Sequence, residues 1–240
     1  MQLIIQHKLK EPLKLPIHYH HIVQSAIFNK LESNKEYSSF IHNKGYRTSS
    51  RTFKLFTFGA LQGKYVIEEQ NIIFLNEVML EIRSIDARMI QILSENIKKS
   101  GITYLNQNCI DVHVTLMDKE IEEEELTVRM LSPICVYSTD IETGKTYFYH
   151  PSDMEFSKRV NENFKRKYFA YSGVEADSDI QITVKKLHPK DKYVTKYKGF
   201  YINGWKGEYV LQGKRKYLDF LYQTGLGSKN SQGFGMFKII

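Results

Sequence analysis

The spacing of hydrophobic residues changes along the chain, and each change predicts a switch between strand and helix. Residues 3–8 are typical of a strand. From Pro16 onward, apolar residues return every three or four positions, which predicts an amphipathic helix. The buried face of this helix consists of Ile22, Val23, Ala26, Ile27 and Leu31. The chain is therefore expected to begin with a strand followed by a helix.

The remainder of the first half predicts further strands and one more helix. This helix covers residues 86–99, where Ile90, Leu93 and Ile97 share a face and Gly101 marks the C-terminal end. Strands are predicted over residues 53–58, 65–67, 72–75, 78–84 and 110–116.

The same order returns in the second half. Helices are predicted over residues 151–171 and from about residue 216 to 224. Strands are predicted over residues 126–138 and 180–187, in a hairpin of residues 193–202 with 208–212, and at the end of the chain. Strand, helix, two strands, helix and strand, repeated twice, is a duplicated ferredoxin-like pattern. We therefore predict an α+β protein of two tandem ferredoxin-like (RRM-like) domains, each an antiparallel sheet with helices on one face.

A run of acidic residues separates the two patterns. Five of the six residues from Glu120 to Glu125 are glutamates, and neighbouring like charges are hard to bury in a sheet or a helix. We place the domain boundary in this run, with an N-terminal domain at residues 1–120 and a C-terminal domain at residues 126–240.

Positive charge is concentrated in the second half of the chain. Up to Glu125 there are 15 basic and 16 acidic residues, whereas from Leu126 onward there are 19 basic and 11 acidic residues. The stretch 185–216 is the most basic, and its candidate RNA-binding residues are Lys185, Lys186, Lys214 and Arg215. Such a concentration suits a polyanion, whose binding releases counterions. The alternative is an ordinary solvated face.

Composition also limits the compartment and the cofactors. No apolar run approaches the roughly 20 residues of a membrane span, and the N-terminus does not have the pattern of a signal peptide. Cys109 and Cys135 lie in separate apolar stretches without metal-site spacing, which indicates buried thiols in a reducing compartment. His18 and His21 are three residues apart on the predicted helix, but no nearby carboxylate or thiol motif completes a metal site. We expect a cytoplasmic protein without membrane, metal or cofactor.

A glycine-rich segment near the C-terminus, residues 225–235, is the most specific motif. Its plan is Gly-apolar-Gly, five polar or basic residues, then Gly-apolar-Gly, with Gly225, Gly227, Gly233 and Gly235 around Lys229. Paired glycines allow positive φ and let a partner approach the backbone, which favours a loop that presents amides to a ligand. The segment fits neither a P-loop nor a dinucleotide-binding motif, so a polymer backbone carrying phosphates is the favoured ligand. The alternative is a tight connection between a helix and the last strand.

Together with residues 24–31, 40–42 and 53–58, this glycine-rich loop resembles the CRISPR-associated endoribonucleases that cut precursor CRISPR RNA within its repeats. These are the sixth Cas protein family, in the RAMP superfamily. The resemblance covers the whole chain and implies metal-independent cleavage. In that reaction the ribose 2′-OH attacks the neighbouring phosphate and leaves 2′,3′-cyclic phosphate and 5′-OH ends. It also leaves open a non-catalytic RNA-binding RAMP subunit of a CRISPR effector complex, because such relatives share the fold and the glycine-rich loop.

The resemblance implies two catalytic residues, His42 and Lys54. In several members a tyrosine on the first helix is a third, but Phe28 stands at that position here and cannot donate or accept a proton. Tyr37 or Tyr46 is a less certain substitute. His20 and His21 remain alternatives should the alignment at His42 be shifted.

The chemistry of the two residues agrees with these roles. An imidazole with a pKa near 6.5 transfers protons at neutral pH, and His42 lies among polar residues with glycine and lysine. Lys54 is expected on a strand face shared with Phe56 and Phe58, where its ammonium would stabilise a phosphorane. The alternatives are a solvated histidine and a lysine reaching out from a sheet edge.

The partners implied are the CRISPR repeat RNA and, as open possibilities, effector-complex subunits and a second copy in a homodimer.

Overall fold

The first half of the chain contains eleven short strands and three α-helices within the residues that the structure covers. The structure is a computed structural model that describes residues 1–49, 51–109, 111–197 and 199–240, with the side chains of His42 and Asn108 outside the description. The strands are β1 (Gln2–Lys8), β2 (Leu13–Pro16), β3 (Tyr46–Arg47), β4 (Thr52–Phe53), β5 (Phe56–Phe58), β6 (Tyr65–Glu68), β7 (Asn71–Phe74), β8 (Glu77–Ser84), β9 (Ile102–Tyr104), β10 (Gln107–Cys109) and β11 (Val112–Met117). The helices are α1 (His20–Leu31), α2 (Lys35–Ser39) and α3 (Ala87–Ser100), and a π-helical segment, Phe40–Lys44, follows α2.

An antiparallel four-stranded sheet in the order β11-β1-β8-β5 organises this half. Alternate residues of its central strands are fully buried, among them Leu3 and Ile5 on β1 and Leu80 and Ile82 on β8. They form one core with α1 and α3. The strand order and the position of the two helices are those of a ferredoxin-like domain, as predicted.

The second half repeats this architecture. Its strands are β12 (Glu125–Met130), β13 (Tyr137–Thr139), β14 (Thr146–Phe148), β15 (Gln181–Lys186), β16 (Lys192–Tyr197), β17 (Phe200–Trp205), β18 (Glu208–Gln212) and β19 (Phe237–Ile239). Its helices are α4 (Met154–Ser172) and α5 (Arg215–Thr224), with 3₁₀ turns at Pro189–Asp191 and Asn230–Gln232. The main sheet has the order β15-β18-β12-β19, and α4 and α5 share its core. The prediction of two tandem ferredoxin-like units in an α+β protein is confirmed.

Residues 118–124 connect the two sheets without helix or strand. Ile121 is the buried residue of this connector, and it packs into the core of the second half. The division at residues 120–126 remains a prediction.

Three element predictions were wrong in detail. The first helix begins at His20, because Pro16 closes β2 at the end of its pairing with β7, a position that tolerates a missing N–H. Residues 53–58 form parts of two strands, since Leu55 between them has a φ of 47°. The predicted strand 126–138 ends at Met130, and a separate short strand, β13, follows.

The predicted hairpin also pairs differently. β16 pairs with β17, while β18 leaves the hairpin and enters the main sheet between β12 and β15. Gly207 separates β17 from β18 at a φ of 105°, and a Cβ at this residue would lie 2.9 Å from the carbonyl oxygen of Lys186. The chain can therefore change sheets in this short turn because residue 207 has no side chain.

A buried arginine joins the two halves. Arg83 on β8 donates from Nη1 to the carbonyl of Phe237 at 2.7 Å and to that of Tyr222 at 3.4 Å, and its guanidinium lies over the Tyr222 ring. Its Nε donates to Glu81, which also accepts a hydrogen bond from Gln2. Both charges are almost fully buried, so their mutual pairing offsets the desolvation of each.

No helix among the described residues is long and apolar enough to cross a membrane. Cys109 and Cys135 are both buried and free, as expected from the sequence.

We expect Arg83→Met to lower the free energy of unfolding by about 3–5 kcal/mol, because it leaves Glu81 buried without its partner. Arg129→Met is the matched control, since Arg129 pairs with Glu208 at the surface and its loss should cost less than about 1 kcal/mol. Urea unfolding of both variants measures the difference. Equal losses in the free energy of unfolding would show that Arg83 does not hold the two halves together.

Candidate functional site

An open cleft of about 580 Å³ lies between the two halves. The first half contributes residues 51–56, which include β4 and the start of β5. The second half contributes β13, the side of α4 that carries Asn163 and Lys167, and most of the polar part of the glycine-rich loop. The cleft therefore brings Lys54 and Lys229 to one site, although they are far apart in the sequence.

Lys54 lies in the break between β4 and β5. Leu55 has a positive φ, and its side chain is buried in the core of the second half. The ammonium of Lys54 lies 4.3 Å from the centroid of the Phe28 ring on α1. The alternation in the sequence predicted that Lys54 shares a continuous strand with Phe56 and Phe58. This prediction was wrong, because β4 ends at Phe53 and β5 begins at Phe56. The structure thus places Lys54 beside Phe28.

The two other candidate tyrosines lie elsewhere. The hydroxyls of Tyr37 and Tyr46 donate to the same oxygen of Asp86, at 3.2 and 2.9 Å, and Arg88 pairs with that carboxylate. Burial, followed by the Asp86 carboxylate, raises the pKa of both phenols. Neither side chain lines the cleft. Their hydroxyls are engaged at the N-terminus of α3, which weakens the case for them as substitutes at Phe28.

The candidate catalytic histidines from the sequence were His42, His20 and His21. The side chain of His42 lies outside the description, so its catalytic role remains a prediction. His20 is buried against the rings of Tyr193 and Phe234, and burial lowers its pKa to about 4. His21 is exposed, and its Nδ1 lies 2.8 Å from the carbonyl of His18. A buried imidazole with so low a pKa is a poor proton carrier at neutral pH, so His20 is an unsuitable alternative.

The four glycines of the loop permit close packing within the protein. A Cβ on Gly233 would lie 2.6 Å from the Phe58 ring, and one on Gly235 would lie 2.0 Å from the carbonyl of Leu226. Gly233 has a φ of 86° and Gly235 a φ of 80°. The hydroxyl of Thr57 donates to the carbonyl of Phe234. The motif therefore fits the loop against β5 of the other half. RNA contacts of Gly225, Gly227, Gly233 and Gly235 remain a prediction.

Lys229 projects from the loop into the cleft. It is half-buried at a φ of 63°, and its ammonium lies 4.9 Å from the centroid of the Tyr137 ring. An exposed phosphate in the cleft would meet this cation beside an aromatic face. Its contact with RNA remains a prediction, and the position of Lys229 would place that contact in the cleft.

A buried lysine that the sequence analysis missed holds the loop together. Lys167 is 2% exposed, and its Nζ donates to the carbonyl of Gly225 at 2.5 Å and to Oδ1 of Asn230 at 3.1 Å. The amide of Asn230 in turn donates to the carbonyls of Leu226 and Phe234. No carboxylate of the described residues pairs with Lys167. Burial lowers the pKa of its ammonium to about 7.

The helical periodicity of α4 could have identified Asn163 and Lys167 from the sequence. The buried positions of α4 are Phe156, Val160, Asn163, Phe164 and Lys167. A polar residue that falls on the apolar face of an amphipathic helix requires a buried partner or a ligand.

The other predicted cations do not line the cleft. Lys185 and Lys186 are exposed on β15, where Lys185 donates to Thr127. Lys214 pairs with Asp177 at 3.0 Å, and Arg215 begins α5. This end of α5 is about 15 Å from the glycine-rich loop, because a ten-residue helix rises 1.5 Å per residue. The RNA contacts of these four residues remain predictions. An RNA strand that reaches both these residues and the cleft would have to run over the protein surface.

The sequence analysis did not identify three arginines that lie near the cleft. Arg51, Arg159 and Arg166 line a smaller cavity of about 170 Å³ that shares Asn163 and Ser228 with the cleft. Arg159 and Arg166 also pair with Glu162. The cations at the cleft thus come from α4 and residue 51 as well as from the loop.

Solved structures show the same fold. A structure described as CRISPR associated protein Cas6 matches 100% of this chain and 99% of its own, with 23% identity and a TM-score of 0.76. A Cas6-related protein from Pyrococcus furiosus matches 100% of this chain and 98% of its own, with 24% identity and a TM-score of 0.83. Both structures thus share with this chain the fold of two ferredoxin-like halves.

The family model described as CRISPR associated protein Cas6, C-terminal, matches residues 116–239. The chain belongs to the Cas6 family. CRISPR-associated endoribonuclease Cas6 1 from Methanocaldococcus jannaschii is 28% identical over 228 residues, which are 92% of this chain and 86% of that protein. A protein from Pyrococcus horikoshii named putative CRISPR-associated endoribonuclease-like protein Cas6nc is 27% identical over 97% of this chain and 96% of its own.

Gly235→Ala should lower the free energy of unfolding by more than about 3 kcal/mol, because the new methyl group meets the backbone of Leu226. Gly144→Ala is the control, since Gly144 also has a positive φ, of 67°, but open space around it. That change should cost only about 1–2 kcal/mol of strain. Denaturant unfolding distinguishes the two, and similar losses would refute the packing role of the motif.

Lys167 should make stability depend on pH. Its pKa is about 7 in the folded protein and near 10.5 in the unfolded chain, so between these values the unfolded chain binds more protons. Stability from this group therefore rises with pH from about 7 to 10, by up to about 1.4 kcal/mol per unit. Urea unfolding at pH 7, 8 and 9 should show this slope in the wild type and in Lys165→Met, but not in Lys167→Met. An unchanged slope in Lys167→Met would contradict the assignment.

Proposed function

We propose that the protein is a metal-independent endoribonuclease that cleaves precursor CRISPR RNA within its repeat. The observation that carries this proposal is the position of Lys54, whose ammonium lies over Phe28 in the cleft that the glycine-rich loop also lines. The homology to Cas6 endoribonucleases supports the same substrate. A cleft lined by cations from both halves suits a phosphodiester backbone.

The reaction begins at the ribose next to the scissile phosphate. The 2′-OH loses its proton to a general base, and its oxygen forms a bond to phosphorus. The bond from phosphorus to the 5′-oxygen then breaks, and the departing oxygen takes up a proton. The products are a 2′,3′-cyclic phosphate and a 5′-OH end, with no external reactant consumed.

Two side chains divide this work in the proposal. His42 transfers protons, since an imidazole changes charge near neutral pH. Lys54 holds the non-bridging oxygens, because a fixed ammonium stabilises the extra negative charge of the phosphorane. Lys229 positions the backbone from the opposite side of the cleft. Phe28 contributes its ring face to Lys54 but no proton.

Lys54→Met should reduce single-turnover cleavage of the repeat RNA by about 10²- to 10³-fold, the usual effect of losing one charge-stabilising group. His42→Ala should reduce it by about 10²- to 10⁴-fold. Lys64→Met is the control, because Lys64 is exposed in the turn before β6 and should cleave like the wild type. Mass spectrometry of the fragments identifies their ends, and binding should change little in either catalytic variant.

Two substrate conditions test the mechanism separately from the residues. Cleavage should persist in EDTA, and a 2′-deoxy sugar upstream of the cut should abolish it. A strict requirement for Mg²⁺, or cleavage of the 2′-deoxy substrate, would contradict the proposed chemistry.

The second candidate is a non-catalytic RNA-binding RAMP subunit of a CRISPR effector complex. Phe28 favours it, because the side chain beside Lys54 has no hydroxyl. The same gel decides between the two: a single size-specific cut supports the enzyme, and binding without products supports the subunit.

A further inference from the structure

Strand β6 forms one edge of the small sheet β2-β7-β6. Within the described part of the chain, β6 pairs with β7 and with no other strand. Three of its four residues are large, apolar and exposed: Tyr65 by 53%, Val66 by 42% and Ile67 by 59%. Edge strands are usually protected by prolines, bulges or charges, because an unpaired edge recruits further strands. β6 contains no proline, and its register with β7 is unbroken, so its open side can accept one more strand.

The pairing with β7 determines which backbone groups of this edge point outward. The N–H of Leu75 donates to the carbonyl of Lys64 at 2.9 Å, so these two residues form a hydrogen-bonded pair. In an antiparallel pair of strands, residues that exchange hydrogen bonds alternate with residues that do not. The even-numbered residues from 64 to 68 therefore direct their N–H and C=O groups toward β7. Those of Tyr65 and Ile67 point to the open side, where a further strand would bind.

A second copy of β6 fits this edge in one register that suits both the backbone and the charges. The twofold axis passes between the two Val66 residues, and Tyr65 lies opposite Ile67 of the second copy in a hydrogen-bonded pair. Lys64 then lies opposite Glu68 of the second copy, which gives two ion pairs across the interface. The backbone allows other registers only at shifts of two residues, and such a shift in either direction loses both ion pairs.

The side chains of the edge also favour a protein strand as the occupant. The ring of Tyr65 packs edge-on against the buried ring of Phe74, with the ring centroids 5.8 Å apart. The face that carries Tyr65 and Ile67 therefore continues the hydrophobic core past the last strand. Pairing places Tyr65 beside Ile67 of the second copy, which removes apolar surface from water. RNA is a poor occupant, because Glu68 and Glu69 would repel its phosphates.

We propose that the protein forms a twofold dimer through β6, in which the sheets β2-β7-β6 of two copies join into one six-stranded sheet. Small interfaces are typical of weak complexes, so we expect a dissociation constant of about 10–100 µM for this short strand pairing. Residues 64–68 are all described by the structure, and they do not line the cleft between the two halves. The dimer therefore does not rest on the proposed RNA-processing function.

Sedimentation equilibrium of the full chain without RNA tests the dimer, at protein concentrations from about 5 to 300 µM and at low salt, which leaves the ion pairs unscreened. The wild type should show a monomer–dimer equilibrium. Lys64→Glu and Glu68→Lys each place like charges opposite one another at two points and should weaken the dimer about tenfold or more. Lys14→Glu is the control, because Lys14 is exposed on β2 at the other edge of the sheet and should dimerise like the wild type.

Two combinations of the reversed charges restore the opposite pairs. The double variant with Lys64→Glu and Glu68→Lys should dimerise within about threefold of the wild type, since each pair is exchanged and not lost. An equal mixture of the two single variants should form heterodimers, although each variant alone is weakened. A wild type that stays monomeric at the highest concentration overturns the proposal, as does undiminished dimerisation of both single variants. Failure of both combinations to restore the dimer contradicts the register and overturns the proposal as well.

Discussion

The cleft exists only because the two ferredoxin-like halves are held in one relative orientation, and Arg83 is central to that. Its guanidinium is surrounded by acceptors from both halves: Glu81 on its own strand and the carbonyls of Phe237 and Tyr222 in the other half. A buried cation with fixed acceptors tolerates little displacement, because each lost hydrogen bond leaves charge uncompensated. Sliding of the last strand over the first sheet is therefore disfavoured.

The glycine-rich loop has a second role that its appearance in the sequence concealed. Glycine pairs suggested a backbone open to a ligand, whereas here they admit Phe58 and the loop's own carbonyls. The residues between the glycine pairs then line the cleft, among them Lys229 and Gln232. The glycines let the loop pack against the rest of the protein, and the residues between them supply the polar and charged groups that line the cleft.

Hydrophobic periodicity predicted the fold well because both main sheets bury one face and the helices α3, α4 and α5 are amphipathic. It failed where tertiary pairing overrides local pattern, as at Leu55, whose positive φ breaks an apparently continuous strand, and at Gly207, where the chain changes sheets. The site was harder to predict. Lys54 was found through a resemblance, and its neighbour Phe28 came from the same alignment. Lys167 and Asn163 were missed, because a search for exposed cations passes over a lysine on the apolar face of a helix.

The buried ammonium of Lys167 would also link the binding of any ligand that contacts it to protons. Its hydrogen-bond acceptors in the free protein are neutral, and burial leaves its pKa near 7, so about half of the molecules carry the charge at that pH. A ligand oxygen placed on this ammonium stabilises the charged form and raises its pKa. The complex then takes up a fraction of a proton from the buffer as it forms. The measured enthalpy of binding will consequently include the ionisation enthalpy of whichever buffer is used.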